Sequence, residues 1–227
     1  LPNGMTVVAQ ENGSSQLVAI HVWVRDGAIY ESPEEAGLSN LITRALLSES
    51  EEFESGAMVR LIESLGGNIG AYSSPDYARY LAVVSSRHFD VTLDAISYCL
   101  LHPVFRPETI ETRKATIVSE IEAAGDRALD QASNLADNLL YEGTTRAVPY
   151  GTVETLSGFT AEQVTERYRE RYVPSNIVVS VAGNISPSYV VDRVEEIFGD
   201  LDSGTPAEPV LKSVDWPESW PWYSALT

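Results

Sequence analysis

Three histidines, His21, His88 and His102, are the residues of this sequence best suited to metal binding or proton transfer. His21 lies in a run with the alternation of a strand, whereas His88 and His102 lie at the predicted start and end of one helix. No two histidines have the i, i+4 spacing that would place both imidazoles on one helix face. We therefore interpret each as a structural or surface residue, and a metal site assembled from distant segments stays open.

Other catalytic signatures are incomplete. The Gly-Gly-Asn-Ile-Gly segment at residues 66–70 follows a predicted helix and enters a strand, the reverse of the order in a dinucleotide-binding loop. No Gly-x-Ser-x-Gly nucleophile elbow is present. The single cysteine, Cys99, lies in the apolar run 95–101, which predicts core packing and not a nucleophilic role.

The charge balance is strongly acidic, with 33 Asp and Glu against 15 Lys and Arg and a formal net charge of −18 at pH 7. A surface of this sign repels nucleic acid phosphates, so we expect no nucleic acid partner. It is suited to basic or extended peptides, or to a basic partner protein. A simpler interpretation, in which the charge only keeps the protein soluble or adapts it to salt, stays open.

The length of 227 residues and a hydrophobic content of 44% allow one large domain or two small ones with a true core. No apolar run approaches the about 20 residues that a membrane-spanning helix needs. The first residues, Leu1-Pro2-Asn3-Gly4, lack a basic region followed by an apolar stretch, so we expect a soluble chain without a signal peptide. The sequence does not indicate a compartment.

Apolar periodicity predicts the elements that would hold any site. Residues 5–11 and 17–24 have strand character with Asn12-Gly13 between them, which predicts a hairpin. Residues 34–48 have the apolar spacing of a helix with one buried face. The other predicted strands are 68–73, 77–84 and 177–182, and the other predicted helices are 55–65, 88–101, 107 to beyond 122, 129–141, 161–171 and 187–198. This order indicates an α+β fold, with a mixed, mainly antiparallel sheet and helices packed on one face.

A change of composition near residue 202 divides the chain. We expect residues 1–201 to form the α+β domain and residues 202–227 to form a linker or tail that leads out of it. The tail is rich in proline and tryptophan, with Pro206, Pro209, Pro217, Pro221, Trp216, Trp220 and Trp222.

Several segments occur in a characteristic order, namely 1–8, 22–28, 37–46, 65–74 and 172–184, and they include the runs Leu-Pro-Asn-Gly-Met-Thr-Val-Val and Leu-Gly-Gly-Asn-Ile-Gly-Ala-Tyr-Ser-Ser. In this order they resemble the pitrilysin/insulinase-type zinc peptidases, the inverzincins, which include the mitochondrial processing peptidase. Each segment alone is weakly specific, whereas the ordered set is strongly so. The resemblance implies a LuxS/pitrilysin-like half-domain.

The resemblance also implies where a zinc site would lie. The family's motif is His-x-x-Glu-His, in which both histidines bind one zinc and the Glu activates the bound water. The matching positions here carry Asn40, Thr43 and Arg44. The family's third ligand is a Glu in a Val-x-Glu-Ile-like segment, which Glu120 matches, 76 positions after Arg44. Asn is a poor zinc ligand, Thr cannot serve as the base, and Arg carries a fixed positive charge.

We therefore expect a degenerate site without catalytic or metal-binding residues. In this interpretation Arg44 and Glu120 form a buried ion pair across the former metal position. Loss of one partner of such a pair would cost about 3–5 kcal/mol. The alternative, in which Glu120 points to solvent, stays open.

The resemblance implies a function as well, because family members commonly work as two homologous halves of which only one carries zinc. We expect a non-catalytic domain that helps to bind peptide beside a zinc-bearing partner, so that zinc would be found only in that partner. The alternative is a structural or assembly subunit without a proteolytic role. A third interpretation is an active peptidase with unusual ligands, such as Asn40 and Glu120 with a distant histidine. The length corresponds to one half, so the tail would lead to a second half.

Overall fold

The computed structural model describes residues 1–210, which form one five-stranded sheet with eight α-helices. The strands are Thr6–Glu11 (β1), Leu17–Val24 (β2), Asn68–Ser73 (β3), Ala78–Ser85 (β4) and Ile177–Gly183 (β5). The helices are Leu38–Leu46 (α1), Ala57–Ser64 (α2), Phe89–Leu101 (α3), Pro107–Gly125 (α4), Ala128–Leu140 (α5), Val153–Gly158 (α6), Ala161–Arg171 (α7) and Pro187–Phe198 (α8).

The strand order is β1-β5-β2-β4-β3, and it shows that the predicted hairpin of residues 5–11 and 17–24 is wrong. β5 lies between β1 and β2, parallel to β1 and antiparallel to β2. The turn residues Asn12-Gly13 reverse the chain direction, but they do not make the two strands neighbours. Adjacent strands in sequence pair only about two-thirds of the time, and here the central place goes to β5, whose Val179 and Val181 are buried.

Among residues 1–210, the sheet is buried on one face and half-open on the other. In β2, Val18, Ile20, Val22 and Val24 are buried, whereas the residues between them are half-buried or exposed. The buried side chains pack against apolar residues of α2, α3 and α8 in one core cluster. This arrangement confirms the predicted α+β class with a mixed, mainly antiparallel sheet and helices on one face.

The opposite side of the sheet carries His21, Trp23, Arg79, Leu81 and Ser180, none of which is fully buried. Alternate residues of a strand point to opposite faces, so these side chains share one face. We refer to it as the open face.

Two helix predictions need correction. The helix expected over 34–48 begins only at Leu38, because residues 28–30 and 33–35 form 3-10 turns and Gly37 has a φ of +93°. Such a φ is accessible to glycine and unfavourable for most other residues. α6 was not predicted, since its six residues are too few to show a helical period. Its start is nevertheless marked by Thr152, whose hydroxyl accepts a hydrogen bond from the Thr155 backbone N–H.

The described part of the predicted tail, residues 202–210, has no helix or strand but runs along the domain. The Ala207 N–H donates to the Asn176 side chain at 2.7 Å, and the Val210 N–H donates to the Ile29 carbonyl at 2.7 Å. The tryptophans Trp216, Trp220 and Trp222 lie outside the described residues. No helix within residues 1–210 combines the length and apolar character that crossing a membrane requires.

Candidate functional site

α1 is held between the sheet and α4. Its residues Leu38, Leu41, Ile42 and Ala45 belong to a second core cluster, which also contains Ile110 and Ile117 of α4, Leu156 of α6 and Val164 of α7. Leu46 instead joins the main cluster under the sheet. Because apolar residues surround the helix, almost all of its side chains are buried and only Arg44 is partly exposed. Arg44 therefore faces the surface beside α4.

Two buried carboxylates fix the start of α1. The Glu31 carboxylate accepts hydrogen bonds from the backbone N–H of Gly37 at 2.9 Å and of Ser39 at 2.6 Å. These are among the N–H groups that a helix cannot satisfy internally. The Ser39 hydroxyl donates to Asp26 at 2.9 Å, and Arg167 of α7 donates to the same Asp26 oxygen at 3.1 Å.

Burial dominates the electrostatics of this end of the helix. Desolvation raises the pKa of Glu31 to about 7, although the hydrogen bonds from Ser39 and Gly37 act in the opposite direction. Burial likewise raises the pKa of Asp26 and outweighs the charge of Arg167. Sequence reasoning missed all of these residues, since nothing in the pattern around a single Asp or Glu shows that it is buried.

The structure brings Asn40, Arg44 and Glu120 together. The Arg44 guanidinium donates from one terminal nitrogen to Glu120 Oε1 at 3.0 Å, and its other terminal nitrogen lies 2.8 Å from Oε2. Its Nε donates to Asn40 Oδ1 at 2.9 Å. Thr43 is directed elsewhere, since its hydroxyl donates to the Ser39 carbonyl one turn earlier at 2.7 Å. A planar guanidinium thus occupies the space between α1 and α4 and contacts both oxygens of one carboxylate.

The exposure of this pair corrects the expectation that it is buried. The Arg44 side chain is 31% exposed and the Glu120 side chain 53% exposed. Water screens such a pair, and exposed ion pairs contribute about 0–1 kcal/mol. The expected loss of about 3–5 kcal/mol for removing one partner therefore does not apply here.

The residues present do not fit the zinc that the family resemblance implies. Glu120 Oε1 and Asn40 Oδ1 accept hydrogen bonds from Arg44, and Glu120 Oε2 lies 2.8 Å from the same guanidinium, which has no lone pair to offer a metal. A divalent cation here would also face the fixed charge of Arg44. Within residues 1–210, no group of three or more His, Cys, Asp or Glu is placed to hold a metal ion.

The remaining candidates of the sequence lie apart from this site. His21 is on the open face, where its ring stacks on Trp23 at 5.6 Å. His88 and His102 flank the two ends of α3, a helix of 13 residues. At about 1.5 Å rise per residue, the 14 positions between them correspond to about 21 Å. Cys99 is buried, as predicted, and burial raises the pKa of its thiol.

The fold is an α+β domain in which α1 lies between the sheet and α4. Residues 6–152 match the family Insulinase (Peptidase family M16), and residues 158–226 match the Peptidase M16 inactive domain. The chain therefore belongs to peptidase family M16, as its ordered segments predicted.

Individual relatives agree with this assignment. The chain is 29% identical over 202 residues to an uncharacterized zinc protease, YmxG, of Bacillus subtilis, and the match covers 88% of this chain and 49% of the relative. It is 26% identical over 207 residues to the probable mitochondrial-processing peptidase subunit beta of Arabidopsis thaliana, covering 89% of this chain and 38% of the relative. The chain thus spans half or less of the length of these relatives.

A solved structure shows the same fold. The periplasmic protease PqqL of Escherichia coli superposes with a TM-score of 0.84 at 18% identity, covering 93% of this chain and 24% of that protein. At so low a sequence identity, this structural similarity shows a shared fold and carries no information about activity.

Proposed function

We propose that this chain is a non-catalytic M16 domain that helps to hold a peptide substrate beside a homologous, zinc-bearing domain or subunit. The observation that carries the proposal is the Arg44 guanidinium, which contacts both oxygens of Glu120 and the side-chain oxygen of Asn40. In a zinc peptidase the corresponding atoms would bind the metal. Here they bind a cation that the chain itself provides.

The position that the resemblance assigns to the general base carries no carboxylate. Thr43 occupies the position that the resemblance assigns to the catalytic Glu, and its hydroxyl is buried and bonded to the Ser39 carbonyl. A neutral hydroxyl does not take a proton from water near neutral pH. Hydrolysis in this proposal therefore takes place on the partner.

A means of holding peptide is present at the edge of the sheet. β3 is an edge strand and pairs only with β4 within the described residues. Its residues from Asn68 to Tyr72 are exposed or half-buried, so its outer backbone groups can pair with an added strand. An extended peptide could thus bind through its main chain without any catalytic residue.

The partner is proposed from the family and from the relatives that the chain matches. The Arabidopsis relative is named as the beta subunit of a processing peptidase, and the chain covers less than half of it. We propose that residues 1–201 form one half-domain of such a unit. The homologous zinc-bearing half would be supplied by another part of the same protein or by another subunit.

Zinc content and peptidase activity test the loss of catalysis. We expect the wild-type protein, exchanged against zinc and desalted, to retain almost no metal and to cleave no peptide. A triple variant, Asn40→His with Thr43→Glu and Arg44→His, should bind about one zinc per chain, because it restores two imidazoles beside Glu120. Arg60→His, on the surface of α2, is the control for added histidine.

Two outcomes would contradict the proposal. Stoichiometric zinc in the wild-type protein, with cleavage that a chelator abolishes, would show an active peptidase with other ligands. A partner complex that keeps full activity when this chain is removed would instead indicate an assembly role.

A further inference from the structure

Three side chains form a row across the open face. Tyr72 of β3 lies directly opposite Arg79 of β4, and Arg79 lies directly opposite Trp23 of β2. The Arg79 guanidinium carbon is 5.3 Å from the centroid of the Trp23 ring and 5.3 Å from that of Tyr72. A cation at this distance from an aromatic ring is attracted by the ring's electrons. Arg79 is thus held between one ring from each neighbouring strand.

Among residues 1–210, no residue accepts a hydrogen bond from the Arg79 side chain. Within residues 1–210, no carboxylate forms an ion pair with Arg79, although acidic residues outnumber basic ones 33 to 15 in the sequence. Its Nε is buried and has no hydrogen-bond partner there. A guanidinium has five N–H donors in a planar fork that matches a carboxylate. An anion such as a carboxylate would therefore satisfy the N–H donors of the Arg79 guanidinium.

Two further ring side chains pack against the Trp23 indole of the row. His21, two residues before Trp23 on β2, stacks against the indole at 5.6 Å between ring centroids. Burial and, to a smaller extent, the charge of Arg79 lower the pKa of His21. Tyr77 packs its ring edge-on against Trp23 at 4.9 Å and fixes the indole from another side. Within residues 1–210, Arg79 is therefore a cation that packs between two rings and forms no ion pair with a carboxylate.

The row is accessible from the edge of the sheet. Tyr72 is 48% exposed, and its neighbour on the same face of β3 is Gly70, which has no side chain. A Cβ at Gly70 would meet no atom within 4 Å, so the space above it is free. Gly70 lies opposite Leu81, two residues from Arg79 on β4. A side chain entering over Gly70 from an added strand would pass diagonally towards the Arg79 guanidinium.

We propose that the Tyr72–Arg79–Trp23 row is a subsite for an acidic side chain of an extended peptide bound along β3. This inference rests on the proposed peptide-holding function and adds a specificity to it. The peptide residue that faces Gly70 would place its Asp or Glu carboxylate against the free N–H groups of Arg79. Tyr72 and Trp23 hold the guanidinium in place, so little side-chain freedom is lost on binding.

The preference runs against the overall charge of the protein. A net charge of −18 disfavours acidic peptides at long range, and salt weakens this effect over about 8 Å at physiological ionic strength. A measured preference for an acidic residue therefore reports a local contact and not the general field. The basic peptides suggested by composition and the acidic side chain suggested by Arg79 are compatible, because one peptide can carry both.

The test compares two fluorescein-labelled extended peptides that differ only by one central Glu or Gln, measured by fluorescence anisotropy. We expect the wild-type protein to bind the Glu peptide about fivefold more tightly than the Gln peptide. In Arg79→Gln this preference should disappear while the affinity for the Gln peptide stays unchanged. Arg79→Lys should keep only part of it, because an ammonium lacks the planar fork.

Arg87→Gln provides the matched control, since it removes the same charge from an exposed position at the far end of β4. It should retain the full preference. Equal binding of both peptides to the wild-type protein would overturn the subsite and leave the peptide-holding function intact. A preference that persists in Arg79→Gln would place the carboxylate elsewhere and also overturn it. If neither peptide binds, both the subsite and the proposed function are wrong.

Discussion

Two arginine–carboxylate pairs lie at opposite ends of α1. Their N–O distances are similar, but their exposure to solvent is very different. Near the start of the helix, Arg167 and Asp26 are 3.1 Å apart, and both are buried. Near its end, Arg44 and Glu120 approach to 2.8 Å but are partly open to water. The shorter contact is the less important one for stability, because solvent screens it and because neither group loses all its hydration. Distance alone therefore does not rank ion pairs.

The difference also separates two roles. The buried pair joins α7 to the segment before α1 and supports the start of the helix through Ser39. The exposed pair joins α1 to α4 at the position that the family resemblance assigns to a metal. We therefore expect the fold to tolerate loss of the exposed pair much better than loss of the buried pair. This contrast leads to three predictions for stability.

The largest effect is expected from Arg167→Met. The substitution leaves Asp26 buried without its cation, and also removes a hydrogen bond to the Tyr30 carbonyl. We expect the free energy of unfolding to fall by about 3–5 kcal/mol in urea denaturation. The double variant with Asp26→Asn should recover part of this loss, since it removes the unpaired charge. A loss below about 1 kcal/mol would show that the pair behaves as a surface pair.

Glu31 should give a pH-dependent effect of intermediate size. Burial raises its pKa from 4.5 to about 7. Between these two pH values the Glu31 carboxyl is therefore protonated in the folded chain and ionised in the unfolded chain. The stability that protonated Glu31 contributes is fully present below pH 4.5. It is lost as the pH rises to about 7, and the free energy of unfolding then falls by up to about 3 kcal/mol. Unfolding curves of the wild-type protein and Glu31→Gln, compared from pH 4.5 to 8, measure how much of the pH dependence of stability is due to Glu31. A stability difference that is constant across the range would contradict it.

The smallest effect is expected at the exposed pair. Arg44→Met and Glu120→Gln should each lower the free energy of unfolding by less than about 1 kcal/mol. Their coupling in a double-mutant cycle should decrease further in 1 M salt, where the screening length is about 3 Å. A coupling above about 2 kcal/mol that resists salt would mean that this pair is as important as Arg167 and Asp26.

The strands and long helices were predictable because their apolar residues repeat with a clear period. Val18 to Val24 alternate as a half-buried strand does, and the helix at 89–101 was expected almost to its ends. The neighbour of β1 was not predictable, because a turn signal is local and the competing strand, β5, is more than 150 residues away. The short helix α6 escaped for lack of length.

The residues of the candidate site were also predictable only in part. Ordered segments resembling a known family led to Asn40, Arg44 and Glu120, which the structure places in contact. No pattern showed how exposed they are, since burial depends on the packing of α1 against α4. Asp26 and Glu31 escaped altogether, because their partners come from separate elements and their types are common on surfaces.

The position of β5 has a consequence for how the chain acquires its structure. During synthesis, β1 and β2 are complete long before residues 177–183 exist, and neither can take its final place beside β5 until then. The Trp23 indole, for example, donates to Ser180 across 157 positions of sequence. Pairings of such long range make folding slow and leave strand edges open to other chains in the meantime. Nascent chains that end before residue 177 should therefore be prone to aggregation and should require chaperones.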